Sequence, residues 1–272
     1  MTFLLARRRS PWATAVLLLL ALAAVGGIYS LASGGTRAEA TADADSSTVI
    51  DEGRELFLEG CSTCHGLNAD GGYQPDGTVS GPTLIGVGAA SVDFQVSTGR
   101  MPGANPGAQA KRKTPVYTPE ETHALASYIG SLAPGPEVPT PDMYDTTGIT
   151  PEQLALGGEL FRANCASCHN FSGKGGALTD GKAAPSLIDT EARNVYQAML
   201  IGPQNMPNFP DTTLRVDDKR AIIAYIEAIR ESPNNGGIDT GRLGPVTEGI
   251  VLWTLGLGAL IAVAIWIGVK AK

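Results

Sequence analysis

The sequence predicts an all-α protein built of two tandem helical modules and a C-terminal transmembrane helix, with a second transmembrane helix near the N-terminus. Three observations carry this expectation. A five-residue motif occurs twice, C-S-T-C-H at 61–65 and C-A-S-C-H at 165–169, the copies lying 104 residues apart. Helical patterns of matching sequence precede and follow each copy. Near the C-terminus an uncharged run of 21 residues occupies positions 249–269. The chain accordingly divides into an N-terminal anchor or leader (1–46), a first module (47–133), a proline-rich linker (134–149), a second module (150–232), a connecting segment (233–248) and the terminal helix (249–269).

The motif comes first because it carries the chemistry. The two copies hold all four cysteines and two of the three histidines of the protein, so no thiol remains for a structural disulfide. A zinc knuckle or a thioredoxin-like redox pair accounts for the cysteines but not for a histidine fixed directly after each pair. C-x-x-C-H is the attachment signature of c-type haem, in which the thiols add across the two vinyl groups and the adjacent histidine binds the iron. Two covalently attached haem c groups are therefore expected, on Cys61, Cys64 and His65 and on Cys165, Cys168 and His169.

The helices flanking each motif repeat as well. G-R-E-L-F (53–57) precedes the first motif and G-G-E-L-F (157–161) the second. Glycine-rich loops follow, then G-P-T-L (81–84) and A-P-S-L (184–187), then S-T-G-R-M-P (97–102) and I-G-P-Q-N-M-P (201–207). Met101 lies 36 residues after His65 and Met206 lies 37 after His169. A covalently held haem needs a second axial ligand, and a soft thioether favours reduced iron. Met101 and Met206 are the candidates, since Met1 is the initiator, Met143 lies in the linker and Met199 has no counterpart in the first half. Final helices follow at 118–133 and 216–231, with Thr118 ahead of Pro119 and Asp217 placed to cap. His123 reads as a surface residue.

Two irregular stretches separate these parts. The linker APGPEVPTPD (133–142) reads as a stiff extended spacer that sets the modules apart. An insertion, PGANPGAQAKRKTP (102–115), is absent from the second half, and its Lys111, Arg112 and Lys113 read as an exposed basic loop tip, with a docking contact as the alternative.

The ends concern the membrane. At about 1.5 Å per residue, the run 249–269 spans a hydrocarbon core of about 30 Å. Trp253 and Trp266 sit where interfacial anchors sit, and Lys270 and Lys272 place the C-terminus in the cytoplasm. At the other end Arg7, Arg8 and Arg9 precede an apolar run from about Trp12 to Ala32, a beginning shared by signal peptides and retained anchors. The length of the run favours an anchor, whereas Ala38-Glu39-Ala40 would serve as a cleavage site. Either way, the modules lie on the extracytoplasmic side of the plasma membrane, and both termini are cytoplasmic if the N-terminal segment is retained. All 27 acidic residues lie between Glu39 and Glu248, whereas five of the 20 basic ones (Arg7, Arg8, Arg9, Lys270 and Lys272) belong to the membrane ends, which leaves the part between them with 15 basic residues and a net charge of −12. Such a balance argues against nucleic-acid binding.

Each half resembles a class I cytochrome c domain, over about 47–133 and 150–232. In that family a proline carbonyl orients the haem histidine, which implies this role for Pro82 and Pro185, and the first and last helices cross through glycine and aromatic positions. The whole arrangement, with the segments NCASCHNFSGKGGAL, IGPQNMPNF and FQVSTGRMP, resembles the dihaem cytochrome c subunit (cytochrome cc) of the actinobacterial menaquinol:cytochrome c reductase, the cytochrome bc complex. The resemblance implies partners: the cytochrome b subunit, the Rieske iron-sulfur subunit, a haem-copper cytochrome c oxidase in a supercomplex, and membrane lipid. It also implies a relay in which the first haem takes electrons from the Rieske protein and the second passes them to the oxidase. Haems with histidine and methionine on their two faces have no open position for a substrate, so no substrate-converting site is expected on this chain alone. A dihaem peroxidase, which needs one accessible sixth position, and a membrane-anchored cytochrome serving another enzyme are the rival readings.

Overall fold

The computed structural model describes residues 11–32, 42–73, 77–103, 108–232, 241 and 249–270. Arg7 to Arg9, the Ala38-Glu39-Ala40 site, most of the connecting segment and Lys272 lie outside the described residues. By its contacts the chain divides into two compact units, Met1–Thr48 and Val49–Lys272.

Helix α1 spans Pro11–Ala32, but its described apolar stretch, Ala15–Gly27, is shorter than the roughly 20 residues that a bilayer core requires. The N-terminal transmembrane helix expected from the sequence is thus not supported. One helix among the described residues is long and apolar enough to cross a membrane, Gly249–Lys270, with a mean hydropathy of 2.4. Its residues Leu252–Leu257 form a π-helical turn. There the Thr254 hydroxyl donates to the carbonyl of Ile250 at 2.7 Å, so the polar side chain is satisfied within the helix. Lys270 Nζ lies 4.8 Å from the Trp266 ring centroid, as a cation anchored at an interface would.

In the first half, helix α2 (Ala42–Gly60) runs into the one-turn α3 (Ser62–His65), a two-stranded ribbon β1 (Gly72–Tyr73) with β2 (Val79–Gly81), α4 (Ala89–Ser97) and α5 (Pro119–Leu132). A single turn, α6 (Pro141–Tyr144), lies within the linker. The second half repeats the order with α7 (Pro151–Asn164), α8 (Ala166–His169), β3 (Gly176–Ala177) with β4 (Ala183–Ala184), α9 (Ala192–Ile201) and α10 (Val216–Glu231). The two ribbons depart from an all-α reading. They form where the glycine-rich loops fold back beneath the histidine, over lengths too short to carry an alternating pattern.

The first and last helices of each half cross through glycine. A Cβ on Gly53 would collide with the carbonyl oxygen of Ala124, and one on Gly157 with that of Ala221. Beside each crossing an aromatic pair tilts ring on ring, Phe57 with Tyr128 and Phe161 with Tyr225, both at 5.5 Å between centroids. Around the pairs, Leu125 and Ile129 fill the first core, and Tyr196, Ile222 and Ile226 the second. Thr118 caps α5 in a capping box with Glu121, as expected. Asp217 does not cap α10. The helix starts at Val216, and Asp218 accepts the backbone N–H of Arg215 at 3.1 Å, while Asp217 pairs with Arg220.

The linker is not a free spacer. The carbonyl of Pro136 accepts the Ala90 N–H of the first half at 3.0 Å, and Met143 and Tyr144 pack into the second core. The halves touch directly, where α4 meets α9. Asp93, 5% exposed, accepts two hydrogen bonds of 2.7 Å from Arg193 Nη2 and another from Gln197 Nε2.

Candidate haem sites

The two motifs build the same local structure, bond for bond. α2 and α7 carry their helical bonding into the motif, with Cys61 N–H donating to Phe57 and Cys165 N–H to Phe161 at 2.9 and 2.8 Å. One further turn brings His65 and His169 back to the carbonyls of Cys61 and Cys165. Each chain then folds under its histidine. Gly71 N–H donates to His65 O and Gly175 N–H to His169 O, both at 2.8 Å, while Leu84 N–H reaches Ala69 O and Leu187 N–H reaches Gly173 O, both at 2.7 Å.

These bonds deliver a prolyl carbonyl to each imidazole. His65 Nδ1 lies 2.8 Å from Pro82 O and His169 Nδ1 lies 3.0 Å from Pro185 O. A carbonyl only accepts, so Nδ1 carries the proton and the Nε2 lone pair is left as a ligand. Burial lowers the pKa of His169, with the Pro185 hydrogen bond opposing it, and this favours the neutral ring. Burial pushes the Cys165 thiol up to about 11, with Cys168 adding to the rise, and Cys61 is raised for the same two reasons. The outer thiols, Cys64 and Cys168, are exposed.

The candidate methionines lie on the loops after α4 and α9. Met101 is tied by its N–H to Gln95 O at 2.9 Å and packs, half-buried, on the cluster that includes Phe57 and Leu125 and also takes in Cys61. Met206 packs on the cluster of Phe161, Cys165 and Tyr196. In the second half the sequence-predicted residues meet around one cavity of about 470 Å³, whose wall contains Cys165, Cys168, His169 and Met206. Its apolar lining includes Leu187, Met199, Phe209 and Ile222. His123 is exposed, as expected. Among the described residues no group of three or more His, Cys, Asp or Glu side chains is gathered to hold a metal ion, so the two motifs are not joined into one zinc site.

Comparison with known proteins agrees with this geometry. Residues 50–133 match the family described as Cytochrome c, and residues 152–226 match that described as Cytochrome C oxidase, cbb3-type, subunit III. The cytochrome bc1 complex cytochrome c subunit of Corynebacterium diphtheriae is 45% identical over 247 residues, 85% of each chain. That of Corynebacterium efficiens is 47% identical over 243 residues, 85% of this chain and 80% of the other. That of Mycobacterium tuberculosis strain H37Rv is 43% identical over 267 residues, 97% of this chain and 93% of the other. This chain belongs to the family of cytochrome bc1 complex cytochrome c subunits.

As a cytochrome bc1 complex cytochrome c subunit, the chain is an electron-transfer component of an oxidoreductase complex and a partner of that complex's other subunits. Its two cytochrome c domains imply covalently bound haem c. The residues present fit that group: a thiol pair, an imidazole with a free Nε2 and a thioether open onto one largely apolar cavity.

Sequence reasoning missed part of the cavity wall. Phe94, Thr98, Arg100, Gln109, Lys111 and Arg112, all from the first half, line the second half's cavity. Lys111, Arg112 and Lys113 are exposed, as expected, but the insertion that carries them docks on the second half. Gln109 exchanges two hydrogen bonds with the backbone of Ala183, at 2.8 and 3.0 Å, and Gln204 exchanges two of 3.1 Å with the backbone of Ala110. A basic run placed between a distal methionine and the final helix was the available signal, but it gave no direction.

Proposed function

We propose that this chain is the dihaem wire of a menaquinol:cytochrome c reductase, carrying electrons one at a time from the Rieske iron-sulfur subunit to a haem-copper cytochrome c oxidase held in the same supercomplex. A haem c, when bound, supplies reversible one-electron chemistry at its iron. In this reading Cys61 and Cys64, and Cys165 and Cys168, hold the two groups by thioether bonds. His65 with Met101 and His169 with Met206 would ligate the two irons, and the carbonyls of Pro82 and Pro185 fix the imidazoles. The domains run over 47–133 and 150–232, joined by the 134–149 linker. They lie outside the cytoplasmic membrane, with the C-terminal helix at 249–269 as the anchor and Lys270 and Lys272 on the cytoplasmic side. The cytochrome b subunit and membrane lipid surround that anchor.

The observation that carries this reading is the duplicated histidine–proline contact together with the second cavity, where both thiols, the imidazole and Met206 share one wall. With His65 and Met101, and His169 and Met206, as iron ligands, neither site would be left open to a substrate, which would separate a relay from a peroxidase. A second reading, a membrane cytochrome serving an oxidase directly, is favoured by the cbb3-type family match over 152–226. The bc1-subunit relatives cover most of the chain, against a much shorter cbb3 match, and favour the first.

Purification of the tagged chain from native membranes in mild detergent, with a reduced-minus-oxidised spectrum and mass spectrometry, tests the proposal. The expected result is c-type signal accompanied by b-type and a-type haem bands, the Rieske protein and the cytochrome b subunit. A chain that comes out alone with only c-type signal, or whose reduced form binds carbon monoxide readily, would overturn it.

A further inference from the structure

We propose that Arg100 and Arg112 of the first half bind a propionate of the second half's haem, so that the second site is built from both halves of the chain. The inference rests on the haem reading of Cys165, Cys168, His169 and Met206.

Arg100 lines the second cavity although it directly precedes Met101 of the first site. Its guanidinium lies 4.8 Å from the Phe94 ring centroid, a contact that holds a plane in place. Its Nε is buried, and among the described residues it meets no hydrogen-bond partner. Burial lowers its pKa and the nearby charge of Arg112 lowers it further. Arg100 and Arg112, with Lys111 beside them, thus bring three cations to one cavity, and no ion pair to any of them is found among the described residues.

Such an arrangement is unfavourable until an anion enters, and haem c carries two carboxylates on flexible arms. A guanidinium fork suits a carboxylate because two parallel N–H donors meet its two oxygens. The approach is fixed on both sides. Gln109 bonds Ala183, two residues before Pro185, and Ala110 bonds Gln204, two residues before Met206. Asp93 ties the helix that leads to Arg100 onto Arg193 and Gln197. The repeat does not supply the counterpart, since Asn205 precedes Met206 where Arg100 precedes Met101.

The test is a redox titration of the intact complex carrying Arg100→Gln, Arg112→Gln, both together, or Arg100→Lys. The transition that moves in Met206→His marks the second haem. Removing the cations leaves its propionate charge uncompensated and favours ferric iron. The double variant should therefore shift electron sharing between the two haems at least tenfold toward the first, a change of 59 mV for a one-electron couple. Arg100→Lys should restore the potential only in part, because an ammonium keeps the charge but loses the fork.

Arg54→Gln, on the exposed face of α2, removes a cation elsewhere and should leave both potentials in place. Unchanged potentials in the double variant, a shift confined to the first haem, or full restoration by Arg100→Lys would each overturn the proposal. If Arg100→Gln does not assemble, Arg112→Gln on the exposed loop decides alone. Haem staining of each variant on a denaturing gel separates the two levels: loss of haem in the parent chain would sink the haem reading itself, whereas two attached haems with unmoved potentials would sink only the arginine clamp.

Discussion

At each motif one side chain is oriented by one carbonyl, and that contact decides what the imidazole can do. Because Nδ1 donates to Pro82 or Pro185, the opposite nitrogen is available as a ligand and the ring cannot turn without losing a bond. In the proposed site Met206 is the second ligand, and its donor atom sets the potential. Replacing Met206 by His exchanges a soft thioether for a harder nitrogen, which stabilises ferric iron. A fall on the order of 0.1–0.3 V is expected, within the roughly 0.8 V range that axial ligands span, with the haem still attached. A redox titration showing no change would remove Met206 from the ligand set. These residues were legible in the sequence because covalent attachment requires two thiols and a histidine within five positions, and no fold can relax that spacing. The place of Arg100 was not legible, because nothing local distinguishes an arginine beside its own half's methionine site from one that lines a cavity built by residues of the other half.

Among the helices, the repeated glycines do the work that repeated sequence led one to expect. α7 and α10 approach until the backbone of one touches the backbone of the other, and Phe161 and Tyr225 close the crossing from the side. Gly157→Val has no flexible neighbour to displace, since the obstacle is the Ala221 carbonyl itself. It should destabilise the second half by about 1–3 kcal/mol through overpacking, seen as a lower midpoint in thermal unfolding. A midpoint equal to that of the parent chain would show that the helices separate without cost. The crossing was readable through the resemblance to class I cytochrome c domains, which implies that glycine and aromatic positions carry it. The two-residue ribbons were not, since their backbone bonds are dictated by the turn beneath the histidine and leave no side-chain pattern. The start of α10 at Val216 was read correctly, but its cap was not: Asp217 and Asp218 both suit a first turn, and only the geometry of Arg215 selects the second as its partner.

At the scale of the whole molecule, the decisive contact lies between the halves. α4 and α9 occupy matching places in the repeat, and they meet each other, so Asp93 pairs with Gln197 at the equivalent position of the other half, with Arg193 added from one side only. A proline-rich linker suggested separation, but a buried carboxylate with three donated hydrogen bonds holds the halves together and fixes the spacing of the two sites. No reading of local sequence could pair residues a hundred positions apart. Asp93→Ala leaves the Gln197 amide, which is fully buried, without its partner, and strands the Arg193 guanidinium at the interface. Breaking a buried pair costs several kcal/mol when neither group can reach water. The Arg193 side chain is 37% exposed and can rehydrate, so about 1–3 kcal/mol is the expected loss. A double-mutant cycle with Arg193→Ala should return a coupling of about 0.5–3 kcal/mol. The same Asp93→Ala chain should show a larger radius of gyration by small-angle scattering, with both haems still attached. Additive losses and an unchanged radius would mean that the linker and the Gln109–Ala183 contact hold the halves without the carboxylate.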